Sequence, residues 1–262
     1  MSISGNSLSH GLARRQFLRQ TAGALVTCLA SISQTFSAPV PRPCAVAFDA
    51  LAIFDPRPVY ARVERCFPEH GPELSNLWRS RQFEYTWLRA LSRNYADFWT
   101  VTEEALVFAG KSLKLELTVS QRALLMGGFL ELRAWPDAQQ VLAVLRQAGF
   151  KLALLSNFTA QMLKCSVANA KLEGVFEHLL STHAVRTYKP DPRAYQLAPD
   201  AFRLRREQIA FVAFAGWDAV GARRFGYRTL WANRQNLPIE ELGVVPDATS
   251  LTLGGLAEFV GL

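Results

Sequence analysis

Histidine and cysteine are scarce in this 262-residue chain, with four of each. The histidines (His10, His70, His178, His183) form no HxxxH pair, so a histidine-based metal centre has no support. Of the cysteines, Cys28 lies in an N-terminal segment with the character of a leader. Cys44, Cys66 and Cys165 remain, an odd number without metal-ligand spacing. They read as small buried hydrophobes rather than as a disulfide framework or a zinc site. No clustered run of Lys and Arg with interleaved aromatics is present, which argues against a nucleic-acid partner. A long uncharged apolar stretch is missing as well. The run from Thr21 to Phe36 is too polar and too short to span a bilayer.

What is present describes a globular protein. Half of the residues are hydrophobic, and the length suits one large α/β domain with an insertion. The formal charge is +7; the three arginines of residues 1–38, a segment with no Asp or Glu, account for three of these, leaving +4 on the rest. A mildly basic body favours small anionic ligands through its field. In the N-terminal segment, Ala13-Arg14-Arg15-Gln16-Phe17-Leu18-Arg19 precedes the weakly apolar run, and small residues follow near Ser37 and Ala38. A charged start, a short apolar region and a small-residue end fit a secretory leader. The Arg-Arg-x-Phe-Leu pattern resembles a twin-arginine export signal. Residues 1–38 are therefore expected to be a signal peptide, with the mature protein periplasmic or secreted and without a stable membrane anchor.

The body is organised around Cys44-Ala45-Val46-Ala47-Phe48-Asp49. A short apolar run behind a Pro-rich lead (Pro39, Pro41, Pro43) predicts a buried first strand of a parallel sheet. The acid at its end sits where open α/β sheets place their ligands. From residue 57 to 135 no strand signal appears, and this stretch reads as an all-α insertion that would lie over the sheet edge as a cap. Within it, Leu74, Leu77, Trp78, Tyr85 and Leu88 fall at helical spacing. Thr102 ahead of Glu103 and Glu104, and Thr118 ahead of Gln121, read as helix starts.

Strand and helix signals alternate again from Pro136. A helix from Asp137 to Gln147 is closed by Gly149, and a strand from Phe150 to Leu155 ends in Ser156-Asn157. A helix then runs to Leu172 and is stopped by Gly174. A strand over His178–Ser181 leads into a loop with Lys189-Pro190-Asp191-Pro192 and Tyr195. The strand Gln208–Phe214 is followed by Ala215-Gly216-Trp217-Asp218, a short helix Gly221–Phe225 and a last strand Tyr227–Ala232. This alternation predicts a doubly wound parallel sheet, with a Rossmann-like core over residues 43–56 and 136–262. The strands then deliver Asp49, Ser156, Asn157, Lys189 and Asp218 to one sheet edge. Each alone reads as a cap or a solvated loop residue. Together, polar groups buried at one edge must find partners, and the nearest are each other.

At these positions the sequence resembles a known family. Phe48-Asp49, Leu154-Leu155-Ser156-Asn157, Tyr188-Lys189-Pro190-Asp191 and Trp217-Asp218-Ala219-Val220-Gly221-Ala222 look like the ordered motifs of the haloacid dehalogenase superfamily. Leu77-Trp78-Arg79 with Gln82-Phe83-Glu84-Tyr85-Thr86-Trp87-Leu88 is similar to the cap helix of its type II, L-2-haloacid branch. The likeness runs from about Ala45 to Val260. Phosphatases of the superfamily carry a second Asp two residues after the nucleophile, where this chain has Leu51; that matches the dehalogenase branch and disfavours a metal-dependent phosphatase.

The resemblance implies Asp49 as nucleophile toward a 2-haloacid or related small carboxylate, through an ester that water hydrolyses. It implies Lys189 holding Asp49 ionised and oriented, Arg79 receiving the halide, and Asp218 orienting the lysine or the water. Arg81 reads as a surface helix arginine. Ser156, with Asn157 and N–H groups at a helix start, would bind the substrate carboxylate. Tyr195 would support Lys189 and the substrate side, while Leu51, Phe83, Phe98 and Trp217 would wall the site. No cofactor or metal is implied, and family members are commonly homodimers.

The chain also departs from the pattern. Asp49-Ala50-Leu51-Ala52-Ile53-Phe54-Asp55 is one residue shorter than the family's first motif and lacks its Gly and Thr, and Ala213 and Ala215 stand where the family has Ser and Asn. Ester formation keeps its parts, whereas hydrolysis loses polar helpers. A family member that binds small carboxylates without turnover is the alternative reading.

Overall fold

The computed structural model describes residues 42–262, which form one compact unit from residue 42 onward. The predicted leader lies outside the described residues. Six parallel strands make the sheet: β1 (Ala45–Phe48), β4 (Lys151–Ser156), β5 (His178–Ser181), β6 (Ile209–Ala213), β7 (Arg228–Ala232) and β8 (Ala248–Ser250). The order is β5-β4-β1-β6-β7-β8, with β1 paired to β4 on one side and β6 on the other. All residues of β1 and β6 are buried, as strands covered on both faces require. The chain winds outward from β1 to β4 and β5, then crosses back to β6. Asp49 therefore leaves β1 at the point where the winding reverses, the place that opens a crevice in such sheets. Its N–H still continues the ladder, donating to Val212 O at 2.9 Å.

Asp49 is the N-cap of a four-residue helix, α1 (Ala50–Ile53), followed by β2 (Phe54–Asp55). Four helices come next: α2 (Arg57–Cys66), α3 (Gly71–Leu91), α4 (Phe98–Ser112) and α5 (Val119–Gly127). The segment is not entirely helical. β3 (Arg133–Ala134) pairs antiparallel with β2, so the insertion leaves and re-enters the core through a two-stranded ribbon too short to show as alternation in sequence. Thr118 and Gln121 form the reciprocal capping box that the sequence suggested. Thr102 does not start a helix. Asp97 caps α4, and Thr102 lies one turn in, its hydroxyl donating to Phe98 O, a side-chain habit that mimics a cap signal. The inserted helices share one hydrophobic cluster with the sheet, with Leu74, Trp78, Leu106, Leu125 and Phe129 packed beyond Phe48 and Phe54.

The remaining helices are α6 (Ala138–Gln147), α7 (Ala160–Asn169), α8 (Pro192–Phe202), α9 (Gly216–Phe225) and α10 (Leu256–Val260). α7 stops at Asn169, earlier than Leu172, and Gly174 turns the following loop with φ 72°. α9 begins at Gly216 rather than Gly221, which places Trp217 and Asp218 in its first turn. α8 was not read from the sequence, although Asp191 caps it and Pro192 opens it, a combination that starts helices. β8 and α10 were missed too, being three and five residues long. Among the described residues the cysteines are not buried: Cys44 is exposed, while Cys66 and Cys165 are half-buried. Cys44 precedes β1 and escapes the core that begins at Ala45.

Candidate active site

The buried polar centre of the molecule is Lys189, whose side chain is 1% exposed. Its Nζ donates to Asp49 Oδ1 at 2.8 Å and to Asp218 Oδ2 at 2.6 Å. Asp218 is as deeply buried, and its Oδ1 accepts the Tyr195 hydroxyl at 2.6 Å. Asp49 keeps 14% exposure, and its Oδ2 accepts Leu51 N–H at 3.0 Å. Burial by itself would pull the Lys189 ammonium down, but Asp218 and Asp49 outweigh it and hold the group above the ordinary lysine range. For Asp218, burial is the larger effect. It drives the carboxyl up to about 6 against the pull of Lys189, and the negative charge of Asp49 adds to the rise. Burial, with Asp218 alongside, keeps the Tyr195 hydroxyl well above its usual range and hence a donor.

These side chains converge because loops of different origin meet there. Asp49 follows β1 directly. Lys189 is not at a strand end; it follows β5 by a 3-10 turn and a loop, and its backbone N–H donates to Asn157 Oδ1 at 2.9 Å. Asn157 thus ties the loop after β4 to the Lys189 loop, with Thr182 donating to the same oxygen at 3.3 Å. Gly221 leaves the room this packing needs. A Cβ there would come within 2.5 Å of the Tyr195 hydroxyl and 2.8 Å of Pro190 Cβ.

In front of Asp49 lies a cavity of about 200 Å³, lined by Leu51, Phe83, Phe98, Ser156, Asn157, Trp217, Lys189, Asp218 and Arg79, all expected at the site. Tyr195 is the exception. It is fully buried behind Asp218 and does not line the cavity, because α8 lies on the other face of the sheet edge and its ring packs on Phe211, Phe225 and Tyr227. Ser156 is also placed differently from expectation. α7 starts only at Ala160, with Thr159 as its cap, so Ser156 ends β4 and its Oγ accepts Phe158 N–H at 3.2 Å. The Ser156 hydroxyl proton is left to donate elsewhere.

Tyr60, Gln82, Thr86, Phe158, Phe214 and Ala215 also line the cavity. For two of these a sequence signal existed. Arg79, Gln82, Phe83 and Thr86 stand at i, i+3, i+4 and i+7, one face of α3. Gln82 is oriented by donating to Thr102 Oγ1 at 2.7 Å. Arg79 reaches the rim from the same helix. It donates to Asn76 Oδ1 at 2.9 Å, and its guanidinium lies 5.0 Å from the Tyr60 ring centre. Burial pushes the Tyr60 hydroxyl up to about 12, with Arg79 pulling the other way. Arg79 and Arg81 of α3 are reversed in exposure from the sequence reading. Arg79 is the exposed one, whereas Arg81 is half-buried, paired with Glu84 at 2.6 Å and set 4.5 Å from the Phe108 ring.

A buried cation shared by two carboxylates, one of them opening onto a small aromatic cavity, equips Asp49 as an oriented anion with restricted water. A sequence profile of haloacid dehalogenase-like hydrolases matches residues 17–226. The chain belongs to this family. Its relatives include the (S)-2-haloacid dehalogenase of Pseudomonas sp. (strain YL), 42% identical over 81% of this chain and 92% of that protein. Among solved structures, the L-2-haloacid dehalogenase RSc1362 is 43% identical with TM-score 0.83, covering 85% of this chain and all of that one. The L-2-haloacid dehalogenase of Xanthobacter autotrophicus, solved with chloropropionic acid covalently bound, is 34% identical with TM-score 0.76 over 83% and 98% of the chains. The fold of this haloacid dehalogenase-like hydrolase is therefore that of the L-2-haloacid dehalogenases.

Proposed function

We propose that this protein hydrolyses the carbon–halogen bond of short (S)-2-haloacids. The observation that carries the reading is Lys189 Nζ bridging Asp49 and Asp218 at the floor of an aromatic cavity. An Asp49 oxygen attacks C2 of the substrate, and the C2–halogen bond breaks with its electron pair leaving as halide. Attack opposite the leaving group inverts C2. Water then adds to the Asp49 carboxyl carbon, the ester C–O bond on the enzyme side breaks, one water proton ends on the 2-hydroxyacid and the other is released, and the Asp49 carboxylate is restored.

Each side chain has a part in this sequence. Lys189 aims Asp49 by donating to its Oδ1, and Asp218 with Tyr195 fixes Lys189. Arg79, permanently charged and weakly hydrated, takes the halide at the rim. The Ser156 hydroxyl and the Asn157 amide N–H groups, both left free by their other bonds, serve the substrate carboxylate. Phe83, Phe98, Phe158 and Trp217 exclude water while the halide leaves. A volume of about 200 Å³ is below the roughly 300–1,000 Å³ of drug-sized pockets, which favours the shortest acids. The helices of residues 57–135 serve as a cap that brings Arg79 and Phe83 over the nucleophile. Export of the mature protein through a twin-arginine signal in residues 1–38 completes the reading, and cell fractionation with an Arg14→Lys, Arg15→Lys variant tests it.

The chemistry is tested by mass spectrometry after brief exposure to L-2-chloropropionate, with halide release followed in parallel. An Asp49 adduct with steady halide release is the expected result. An adduct with one burst of halide would mean that hydrolysis is lost, an outcome made specific by Ala213, Phe214 and Ala215, which put no side-chain hydrogen-bonding group beside the nucleophile. No adduct would overturn the proposal.

A further inference from the structure

The turn that holds Asp49 cannot hold itself. α1 is four residues long, and a single turn is far below the length at which a helix is stable alone. Its carbonyls are nonetheless all matched. Ala50 O accepts the N–H of Phe54, the one bond that α1 makes to its own C-cap. Leu51 O accepts Trp135 Nε1–H at 3.0 Å, Ala52 O accepts Arg234 Nη2–H at 3.0 Å, and Ile53 O accepts the backbone N–H of Trp135 at 2.9 Å. Two residues, one 84 and the other 182 positions away, satisfy three of the four. Leu51 is the residue whose N–H holds Asp49 Oδ2.

The two anchors are themselves fixed. Arg234 is nearly buried at 5% side-chain exposure and forks onto Asp137, with Nη2 3.0 Å from Oδ1 and Nη1 3.2 Å from Oδ2. Asp137 Oδ2 also accepts Leu253 N–H at 2.7 Å. The Trp135 ring lies between the Arg234 and Arg57 guanidiniums, each 4.5 Å from its centre. A cation at the C-terminal end of a helical turn is also the favourable sign.

We propose that Trp135 and Arg234 are positioning residues for the nucleophile: by holding Leu51 O and Ala52 O they fix the peptide planes of α1 and thereby the Leu51 N–H that aims Asp49. The proposal rests on Asp49 as the nucleophile. Displacement at carbon demands alignment, and a misplacement of about 1 Å costs about 100-fold in rate.

The test uses the full-length protein with Trp135→Phe, which keeps an aromatic ring and loses the donor N–H, and Arg234→Gln as the second variant. The single-turnover rate of Asp49 adduct formation is expected to fall about tenfold in each, with KM little changed. Arg57→Ala, which alters the other face of Trp135 without touching α1, is expected to alkylate at the parent rate. A second readout needs no substrate: hydrogen exchange of the Leu51 amide, expected to speed up about tenfold in both variants relative to β1 amides. Trp135→Phe with parent adduct rate and parent Leu51 exchange would overturn the proposal. If the parent protein forms no adduct, the alkylation reading fails, and Leu51 exchange alone still decides whether the anchors hold the turn.

Discussion

On the core side of the cavity, Tyr195, Asp218, Lys189 and Asp49 form one chain of hydrogen bonds that ends at Leu51 N–H, and the Tyr227 hydroxyl donates to the Tyr195 backbone carbonyl behind it. The cap side presents Arg79 among Tyr60, Gln82, Phe83, Thr86 and Phe98. The core side fixes a charge by partnering the carboxylate oxygens on both sides of it, as a buried network must. The cap side leaves its charge exposed and surrounds it with rings. One arrangement suits a nucleophile that must not move between turnovers; the other suits a leaving group that must come and go. Removing a core-side member should thus damage both fold and chemistry, while removing a cap-side member should damage chemistry alone.

The largest effect is expected from Asp49→Asn, which keeps the shape and removes the nucleophile. Halide release should fall by about 10⁴-fold or more, as for other covalent catalysts stripped of the attacking group. Lys189→Met follows. It leaves Asp49 and Asp218 facing each other without the ammonium, so unfolding in urea should show a loss of about 3–5 kcal/mol, and halide release should become undetectable. A variant of normal stability would refute the idea that this lysine holds the core side together.

Arg79 and Arg81 of α3 separate the sides more finely. Arg79→Ala should lower kcat by about 100-fold, the cost of removing one preorganised charge from a reacting centre, and leave the unfolding midpoint in place. Arg81→Ala should do the reverse, costing about 1 kcal/mol through its Glu84 pair and its contact with Phe108 while kcat stays constant. Equal kcat losses in the two would erase the distinction between them.

Much of this division was legible in the sequence. Asp49, Ser156, Asn157 and Asp218 were found because an apolar run ending in a polar residue marks a parallel strand's carboxyl end. Lys189 was expected from the same pattern and from its motif, but it reaches the site through a 3-10 turn and a loop beyond β5 rather than at a strand end. What stayed hidden was set by tertiary geometry. Tyr195 was placed at the substrate, but nothing in one sequence says on which side of Asp218 a helix will pack. Arg79 and Arg81 differ only by 200° around a helix, and which faces outward depends on Phe108, 27 residues beyond Arg81. β3 is two residues long and carries no period at all. Trp135 and Arg234 lie far from Asp49 in the chain, and their service to α1 is a matter of carbonyl acceptors that side-chain patterns do not reveal.

The last effect, and the one that sets the two sides against each other, is on pH. Asp218 is raised to about 6 by burial, above the roughly 3.9 of an exposed aspartate. The folded protein therefore binds this proton more readily than the unfolded chain does. The stability it contributes is full below about pH 4 and is lost as pH rises through 6, by no more than about 3 kcal/mol for one proton over two pH units. Activity runs the opposite way. Protonation removes the charge that holds Lys189, so halide release should fall about tenfold from pH 7 to pH 5 along a single-proton curve centred near 6. Asp218→Asn should remove both slopes at once, with activity held at its low level. Arg79→Ala should leave both slopes intact, because the cap side of the cavity takes no part in this proton. If activity and stability instead rose together across pH 5 to 7, the carboxylate that titrates would lie elsewhere, and Asp218 would carry its charge through that range.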